Sequence, residues 1–496
     1  MTTRAIGAAL LAVSGACAIG AETRAIPPGA EVQVALRRRR EALEEIGRVE
    51  ERIAATRVRL EEAWAPPEER RRLLEDEDRL EDLRAQADAA RADAIEAACG
   101  NDAAAREALG SVWIESWRES IAAGDEARAG VFAARARRGV GGGRFAAEVE
   151  ARGTVRLSIE PEGASVSVSR YEEEAGLVSG GAFVLVPTGE EALGTTPLGL
   201  VLLAPGSYLA VARRAGFEDL RLPFAVSRGD TVEVAARMLP DAATPPGFVF
   251  VPEGPFRFGG DPEALGSRPG EIREVPSFWI AREEVTIGEY LEFLNDPETL
   301  REIEEHEART GNPLRAPRDF ARPEGYWSRG EDGRYAPEVD PRTPVAAVTW
   351  GDATAYAGWK SRRAAERGEP WVFALPREEE WEKAARGVDG RAYPWGNRFD
   401  WGYCEGGLSR REGPRLGPAG EFPRDESPYG VRAMSGGVSE WCEEWATEGA
   451  TRVLRGGSFE LASPAFFRAA YRSTSYPEVL LVQPGIRLIA RRASDR

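Results

Sequence analysis

The sequence predicts a multidomain chain: an N-terminal α-helical hairpin with a coiled-coil-like seam, a small all-β domain, and a C-terminal domain of glycine-rich loops and large aromatic rings. Three observations carry this. Up to residue 138, apolar residues recur at helical spacing within densely charged sequence; from Thr154 the period changes to two; from Gly247 the chain turns glycine-rich and holds ten of the thirteen tryptophans. A length of 496 residues suits two to four domains at roughly 100–200 residues each, so a single core is not expected.

Composition excludes several function classes. With 65 basic against 82 acidic residues the formal charge is −17, a global field that repels phosphate and argues against a nucleic-acid partner. The basic residues are 63 arginines and two lysines, Lys360 and Lys383. The single histidine, His306, sits in the run Glu304-Glu305-His306-Glu307 and reads as part of a solvated helix face. One imidazole excludes any metal site or mechanism that needs two, and the glutamate after it excludes a kinase His-Arg-Asp loop. The four cysteines, Cys17, Cys99, Cys404 and Cys442, have no C-x-x-C spacing, so neither a disulfide scaffold nor a structural zinc site can be written.

Residues 1–21 read as a signal peptide: Arg4 precedes the apolar stretch Ala5 to Val13, and small residues follow through Ala21. Export to the periplasm or cell envelope is the expectation. Cys17 is a weak lipoprotein candidate, because Ser14 stands where leucine is expected three positions earlier. Residues 31–138 read as helical. The run from Glu31 to Trp64 is punctuated by Leu36, Leu43, Ile46, Ile53 and Leu60, and Pro66-Pro67 stops it. A second run, Glu68 to Ala98, carries Leu73, Leu74, Leu80, Leu83, Ala87, Ala94 and Ile95 on one side. Two such helices, each about 50 Å long, would pair as an antiparallel hairpin or recruit a partner chain, which makes self-association through this region an expectation. Shorter helices follow over Asp102 to Ala123, where Trp113 and Trp117 read as packing knobs, and over Glu126 to Arg138, before the glycine-rich joint Gly139 to Gly143.

Residues 154–240 read as β structure. Val155, Leu157 and Ile159 alternate with polar residues, and strands are expected at Phe183 to Val186, Leu200 to Leu203, Tyr208 to Ala212 and Thr231 to Ala235. The run Ile159-Glu160-Pro161-Glu162-Gly163-Ala164-Ser165-Val166, the turn Gly194-Thr195-Thr196-Pro197-Leu198 and the hairpin Ala204-Pro205-Gly206-Ser207-Tyr208 resemble the PEGA domain family. That resemblance implies a non-catalytic extracytoplasmic module for adhesion or spacing, and agrees with export.

After the linker Asp241 to Pro246, the motifs come in a fixed order. They include Gly247-Phe248-Val249-Phe250-Val251-Pro252, Glu284-Val285-Thr286, Leu375-Pro376-Arg377, Trp381-Glu382-Lys383-Ala384-Ala385-Arg386-Gly387, Tyr393-Pro394-Trp395-Gly396-Asn397, Ser439-Glu440-Trp441, Arg455-Gly456-Gly457-Ser458-Phe459 and Pro484-Gly485-Ile486-Arg487. Over residues 247–492 this resembles the formylglycine-generating enzyme family, also called sulfatase-modifying factor domains. The resemblance implies an α+β, C-type-lectin-like fold. It also implies copper-dependent oxidation of a protein cysteine by two cysteines in a C-x-x-x-x-C-A-x-R context, thiolates being the natural ligands of Cu(I). Aligned on Arg468, Arg472 and Ser473, the two cysteine positions hold Pro464 and Ala469, so no catalytic residue can be assigned and copper is not expected. The family's sulfoxide-synthase branch needs a histidine-rich iron site, which one histidine cannot supply.

The family's calcium loop corresponds to Ala433 through Trp441. Ala433 replaces a side-chain ligand, while Glu440 and the carbonyls of Gly436 and Val438 persist, which implies a weakened calcium site. A buried hydrogen bond or ion pair at Glu440 is the other reading. Trp441, Trp445, Arg468 and Arg472 are expected to line a cleft for an extracytoplasmic protein, peptide or glycan, whereas Arg455 and Arg487 are expected to bridge loops inside the fold. A disulfide between Cys404 and Cys442 is left open. The function expected from all this is an exported bacterial binding or scaffold member of the family that has lost the oxidase. The alternative is an active oxidase working through a variant site.

Overall fold

The computed structural model describes residues 30–99, 103–122, 125–138, 142–174, 183–311, 314–319, 326–478 and 481–495. The expected signal peptide and Cys17 lie outside them. The chain divides into two compact units, one made of the described residues up to 60 together with 68–152, the other of residues 61–67 with those from 153 onward.

The first unit is helical: α1 (Ala30–Glu62), α2 (Pro67–Cys99), α3 (Ala103–Ala122), α4 (Glu126–Arg138) and α5 (Gly142–Glu150). Val49, Ile53 and Leu83 form the buried seam between α1 and α2, flanked by Ile46, Leu73 and Leu80. Arg52–Asp76, Arg57–Glu77 and Arg84–Glu50 bridge the two helices at 2.6–2.8 Å. These pairs are exposed and contribute little each. The seam differs from the expected one near its start. Leu36 and Leu43 are 41% and 46% exposed, while Ala35 and Ala42 are buried, because the seven-residue stripe running back from Val49 reaches alanine. Trp113, Trp117, Leu109 and Phe132 make a second core with Ala92. Among the described residues no helix is long and apolar enough to cross a membrane.

The second unit opens with strands β1 (Gly153–Glu160), β2 (Ser165–Glu173), β3 (Leu185–Thr195), β4 (Val201–Leu203), β5 (Gly206–Arg213), β6 (Leu220–Val226) and β7 (Thr231–Arg237). They form two sheets, ordered β4-β1-β7 and β3-β2-β5-β6. The β1–β7 pair is parallel and every other pair antiparallel. Val155, Leu157 and Ile159 of β1 meet Val166, Val168, Ala210, Leu222 and Phe224 in one core, as the two-residue period requires. Sequence periodicity missed β6. Its Pro223 argues against a central strand, but β6 is an edge strand, where a missing N–H costs nothing.

Beyond residue 247 come β8 (Phe248–Val251), β9 (Gly254–Phe258), β10 (Glu271–Val275) and β11 (Phe278–Ala281), then helices α6 (Ile287–Leu294), α7 (Pro297–Thr310) and α8 (Trp350–Glu366). They are followed by β12 (Trp371–Ala374), α9 (Glu378–Arg386), β13 (Ser439–Thr447), β14 (Thr451–Arg455), β15 (Ser473–Ser475), β16 (Pro484–Gly485) and β17 (Ile489–Arg492). Thr286 with Glu289 and Thr349 with Asp352 form capping boxes that start α6 and α8. β17 inserts between β11 and β12, so the last strand closes the sheet that β8 begins. The long stretch between α9 and β13 has no regular strand and is held by buried side chains, and most of the site candidates follow it, on β13 and in the segment between β14 and β15.

Candidate functional site

Pro464 opens a short 3-10 turn, Pro464–Phe466. Ala469 is fully buried; its N–H donates to the Ala392 carbonyl at 2.7 Å, and its own carbonyl accepts from Arg455 Nη2 at 3.1 Å. Neither position offers a thiol. The described free thiols, Cys404 and Cys442, are both fully buried. Cys404 packs with Tyr393, Trp395, Trp401 and Phe467, whereas Cys442 packs with Phe256, Trp381, Met434 and Val453. The disulfide left open above is therefore not formed: the two thiols belong to different clusters. Burial pushes both well above the ordinary thiol range, so neither is a thiolate ready for Cu(I). The residues present do not fit a copper centre.

Arg468 and Arg472 flank Ala469 and keep part of their surface. Arg468 donates to Asp261 at 2.7 Å, pairs with Glu263 at 2.8 Å and lies over the Tyr393 ring. Arg472 Nε donates to Glu378 at 2.7 Å. Burial alone would raise the Glu378 carboxyl, but Arg472, Arg455 and Arg268 outweigh it and hold the group below the ordinary carboxylate range.

Glu440, at the start of β13, is 1% exposed and ends in a fully occupied network. Arg487 Nε donates to both of its oxygens at 2.9 Å, and Trp381 Nε1 donates to Oε2. The rest of the guanidinium donates to the carbonyls of Ala281, Arg432 and Ala433, each at 2.9 Å. Arg487 thus supplies the positive charge that a cation would bring to Glu440. Gly436 and Val438 are buried, and a Cβ on Gly436 would lie 2.2 Å from the Glu405 carbonyl oxygen, so glycine is required there. Among the described residues no group of three or more acidic, cysteine or histidine side chains is arranged to hold a metal.

Trp441 does not line a cleft. It is fully buried and donates from Nε1 to the Val348 carbonyl at 2.9 Å, because its position on β13 points into the core shared with Tyr356 and Leu454. Trp445, four residues on, is only partly buried. Its ring lies 3.5 Å from the Arg452 guanidinium, whose other face lies 3.8 Å from Trp350. The structure therefore separates the four cleft candidates into one core residue, one stacked aromatic and two paired arginines.

Sequence reasoning missed a second buried network. Glu382 accepts from Gly259 N–H at 2.7 Å, from Arg386 Nη1 at 2.9 Å and from Arg455 Nη2. The i,i+4 spacing of Glu382 and Arg386 within the Trp-Glu-Lys-Ala-Ala-Arg motif was the available signal. Two further buried acids face the Glu440 network. Asp425 accepts from the N–H groups of Met434 and Ser435 at 3.3 and 2.9 Å, yet burial pushes its carboxyl up to about 8. Both Glu284 oxygens are buried without a hydrogen bond, and burial raises that carboxyl well above the ordinary range despite Arg487 at 3.9 Å.

A family model described as a sulfatase-modifying factor enzyme 1-like domain matches residues 234–492. Over 294 residues the chain is 30% identical to a formylglycine-generating enzyme of Thermomonospora curvata, a match spanning 49% of this chain and 93% of that one. It is 31% identical over 289 residues to a hercynine oxygenase of Mycolicibacterium smegmatis, spanning 48% of this chain and 60% of the oxygenase. With an inactive C-alpha-formylglycine-generating enzyme 2 of Mus musculus the identity is 31% over 244 residues, 44% of this chain and 75% of that protein.

Proposed function

The chain belongs to the sulfatase-modifying factor enzyme 1-like family through residues 234–492, and on that premise we propose that it is a binding or scaffold member that does not oxidise cysteine. The observation that supports this is the pair Pro464 and Ala469 at the positions where the family's cysteines are expected, with the two described thiols held apart and neutral. The test is oxidation of a Cys-x-Pro-x-Arg peptide by the purified protein loaded with copper. No formylglycine above the metal-free control is expected, and turnover would establish instead an oxidase working through a variant site. A histidine-rich iron centre is no better served, since His306 is the only imidazole and lies on α7 beside Arg309.

The same proposal holds that the calcium site is weakened, because Ala433 stands in place of a side-chain ligand while Arg487 already engages both oxygens of Glu440. It holds that the protein works outside the cytoplasm, in the periplasm or envelope, with residues 154–240 as a PEGA-like spacer and with a protein, peptide or glycan as the ligand. It also includes self-association along α1, whose Leu36 and Leu43, seven residues apart on one face, are 41% and 46% exposed. An exposed apolar stripe on a charged helix is costly in a monomer. Light scattering of the full chain is expected to show an oligomer that the double substitution Leu36→Glu, Leu43→Glu converts to monomer; a monomeric parent protein would remove this part of the reading.

A further inference from the structure

A groove of about 680 Å³ opens in the second unit where β6 and β7 face the β9–β10 hairpin. Three unpaired strand edges meet there, because β7 ends one sheet, β6 ends another, and β10 pairs with β9 alone. The hydrogen bonds at the two ends of the β1–β7 ladder fix which way the β7 backbone points. Thr154 N–H donates to the Asp230 carbonyl at 2.8 Å, and Met238 N–H donates to the Glu160 carbonyl at 2.7 Å. In a parallel ladder alternate residues direct both N–H and C=O to the same neighbour. The even-numbered residues of β7 therefore face β1, and Glu233 and Ala235, both lining the groove, present their N–H and C=O groups to the open side.

Edge strands are ordinarily blunted by proline, lysine, a bulge or a cover. β6 carries Pro223, but β7, Thr231–Arg237, has no proline, no lysine and no break in its register with β1. The groove beside it is apolar at its base, where Leu222, Phe224 and Val275 contribute, and Ile272 on its rim is 67% exposed. The charges at the mouth are acidic: Glu233, Glu253 and Glu274, all exposed. The one cation of the lining, Lys383, is 1% exposed, and its Nζ donates to the carbonyls of Pro252 and Gly254 at 2.7 and 2.9 Å. Its donors are committed inside the protein, and Arg156 pairs with Glu233 at 3.5 Å, so three carboxylates stand against one exposed guanidinium and the mouth stays net acidic.

We propose that this groove binds an extended peptide of alternating apolar and basic residues, which adds to the outer edge of β7 as a further strand of the β4-β1-β7 sheet. Backbone pairing to Glu233 and Ala235 supplies register, apolar side chains fill the base, and basic side chains meet the three glutamates. The four β7 residues that line the groove span about 13 Å, so four or five peptide residues are engaged. A neutral lipid-like ligand would use the apolar base but leave both the strand edge and the acidic rim unused. The inference does not depend on whether the chain oxidises cysteine, because it rests on the edge of β7 and the acidic rim and uses neither position 464 nor position 469.

The test uses the full chain and a fluorescein-labelled, end-blocked hexapeptide alternating valine and arginine, read by fluorescence polarisation and by amide hydrogen exchange. Saturable binding is expected, with exchange at Glu233 and Ala235 slowed at least tenfold in the complex. Ala235→Pro removes an outward N–H at an exposed position without touching the β1 ladder. It should weaken binding at least tenfold while the melting temperature stays within a few degrees, and Glu233→Arg with Glu274→Arg should do the same. Unchanged exchange at Glu233 and Ala235 in the parent protein overturns the proposal whether or not the variants fold. So does equal binding of a valine–glutamate hexapeptide, or a dimer of the unliganded chain that Ala235→Pro dissolves, which would make a second copy the occupant.

Discussion

Glu440→Ala is expected to destabilise the second unit by about 3–5 kcal/mol, the usual consequence of removing one partner from a buried pair, and to lower its melting temperature by roughly 10 °C. The cost comes from what remains. Arg487 is fully buried and loses the carboxylate that accepts from its Nε and Nη2, leaving Glu284 at 3.9 Å as its remaining ion-pair partner. Trp381 Nε1 loses its acceptor as well. Calorimetry checks the size. Adding Arg487→Met to Glu440→Ala should recover part of the loss, because a buried charge without a partner costs more than no charge at all. Millimolar calcium or a chelator should leave the melting temperature of the parent protein in place. A calcium-dependent rise would show that an ion, and not only the guanidinium, serves the Glu440 loop.

Stability should be greatest in mildly acidic solution and fall as the pH rises toward 8. Burial pushes Asp425 up to about 8 and Glu444 up to about 7, and raises Glu284 well above the usual carboxylate range. A carboxyl whose folded-state pKa exceeds its unfolded value binds more protons when folded. Its contribution is therefore fully present below the unfolded value, near pH 4, and is lost as the pH climbs through the folded one. Within that window each such group changes stability by about 1.4 kcal/mol per pH unit. Glu378 and Asp389 are shifted the other way and lose their contribution only in more acidic solution. Urea midpoints at pH 5, 6.5 and 8 should decline in that order, and Asp425→Asn should flatten the decline. A midpoint that rises from pH 5 to 8 would mean that these carboxyls are ionised in the folded protein.

Much of the architecture was legible because it rests on local periodicity. Helical spacing found α1 and α2, and the alternation of Val155, Leu157 and Ile159 found β1, since each pattern reports one face of one element. The errors lie where a residue's identity does not reveal its face. Helical spacing alone puts Leu36 and Leu43 in the seam, but the stripe through Val49 runs into Ala35 and Ala42. Pro223 hid β6 because a sequence does not say which strand is an edge. The site was legible only as a set of replaced positions, Pro464 and Ala469. Trp441 and Trp445 lie in the same strand, yet one is in the core and the other is stacked at the surface. The Glu440–Arg487 pair joins residues 47 positions apart, and Glu382–Arg455 joins residues 73 apart. No window of sequence contains either pair, so burial and partner emerge only when the loops are closed over one another.

Lys383 lies at the base of the groove and Lys360 on α8, where its Nζ is 3.4 Å from Glu289 and near the rings of Tyr356 and Phe373. In a chain with 63 arginines and two lysines, this arrangement makes the protein a chemical clock for its own opening. An amine-acylating reagent reaches the Lys360 side chain in the native state, whereas Lys383 must first part from the carbonyls that hold it. The ratio of the two labels over time measures how often the second unit opens, without an introduced probe.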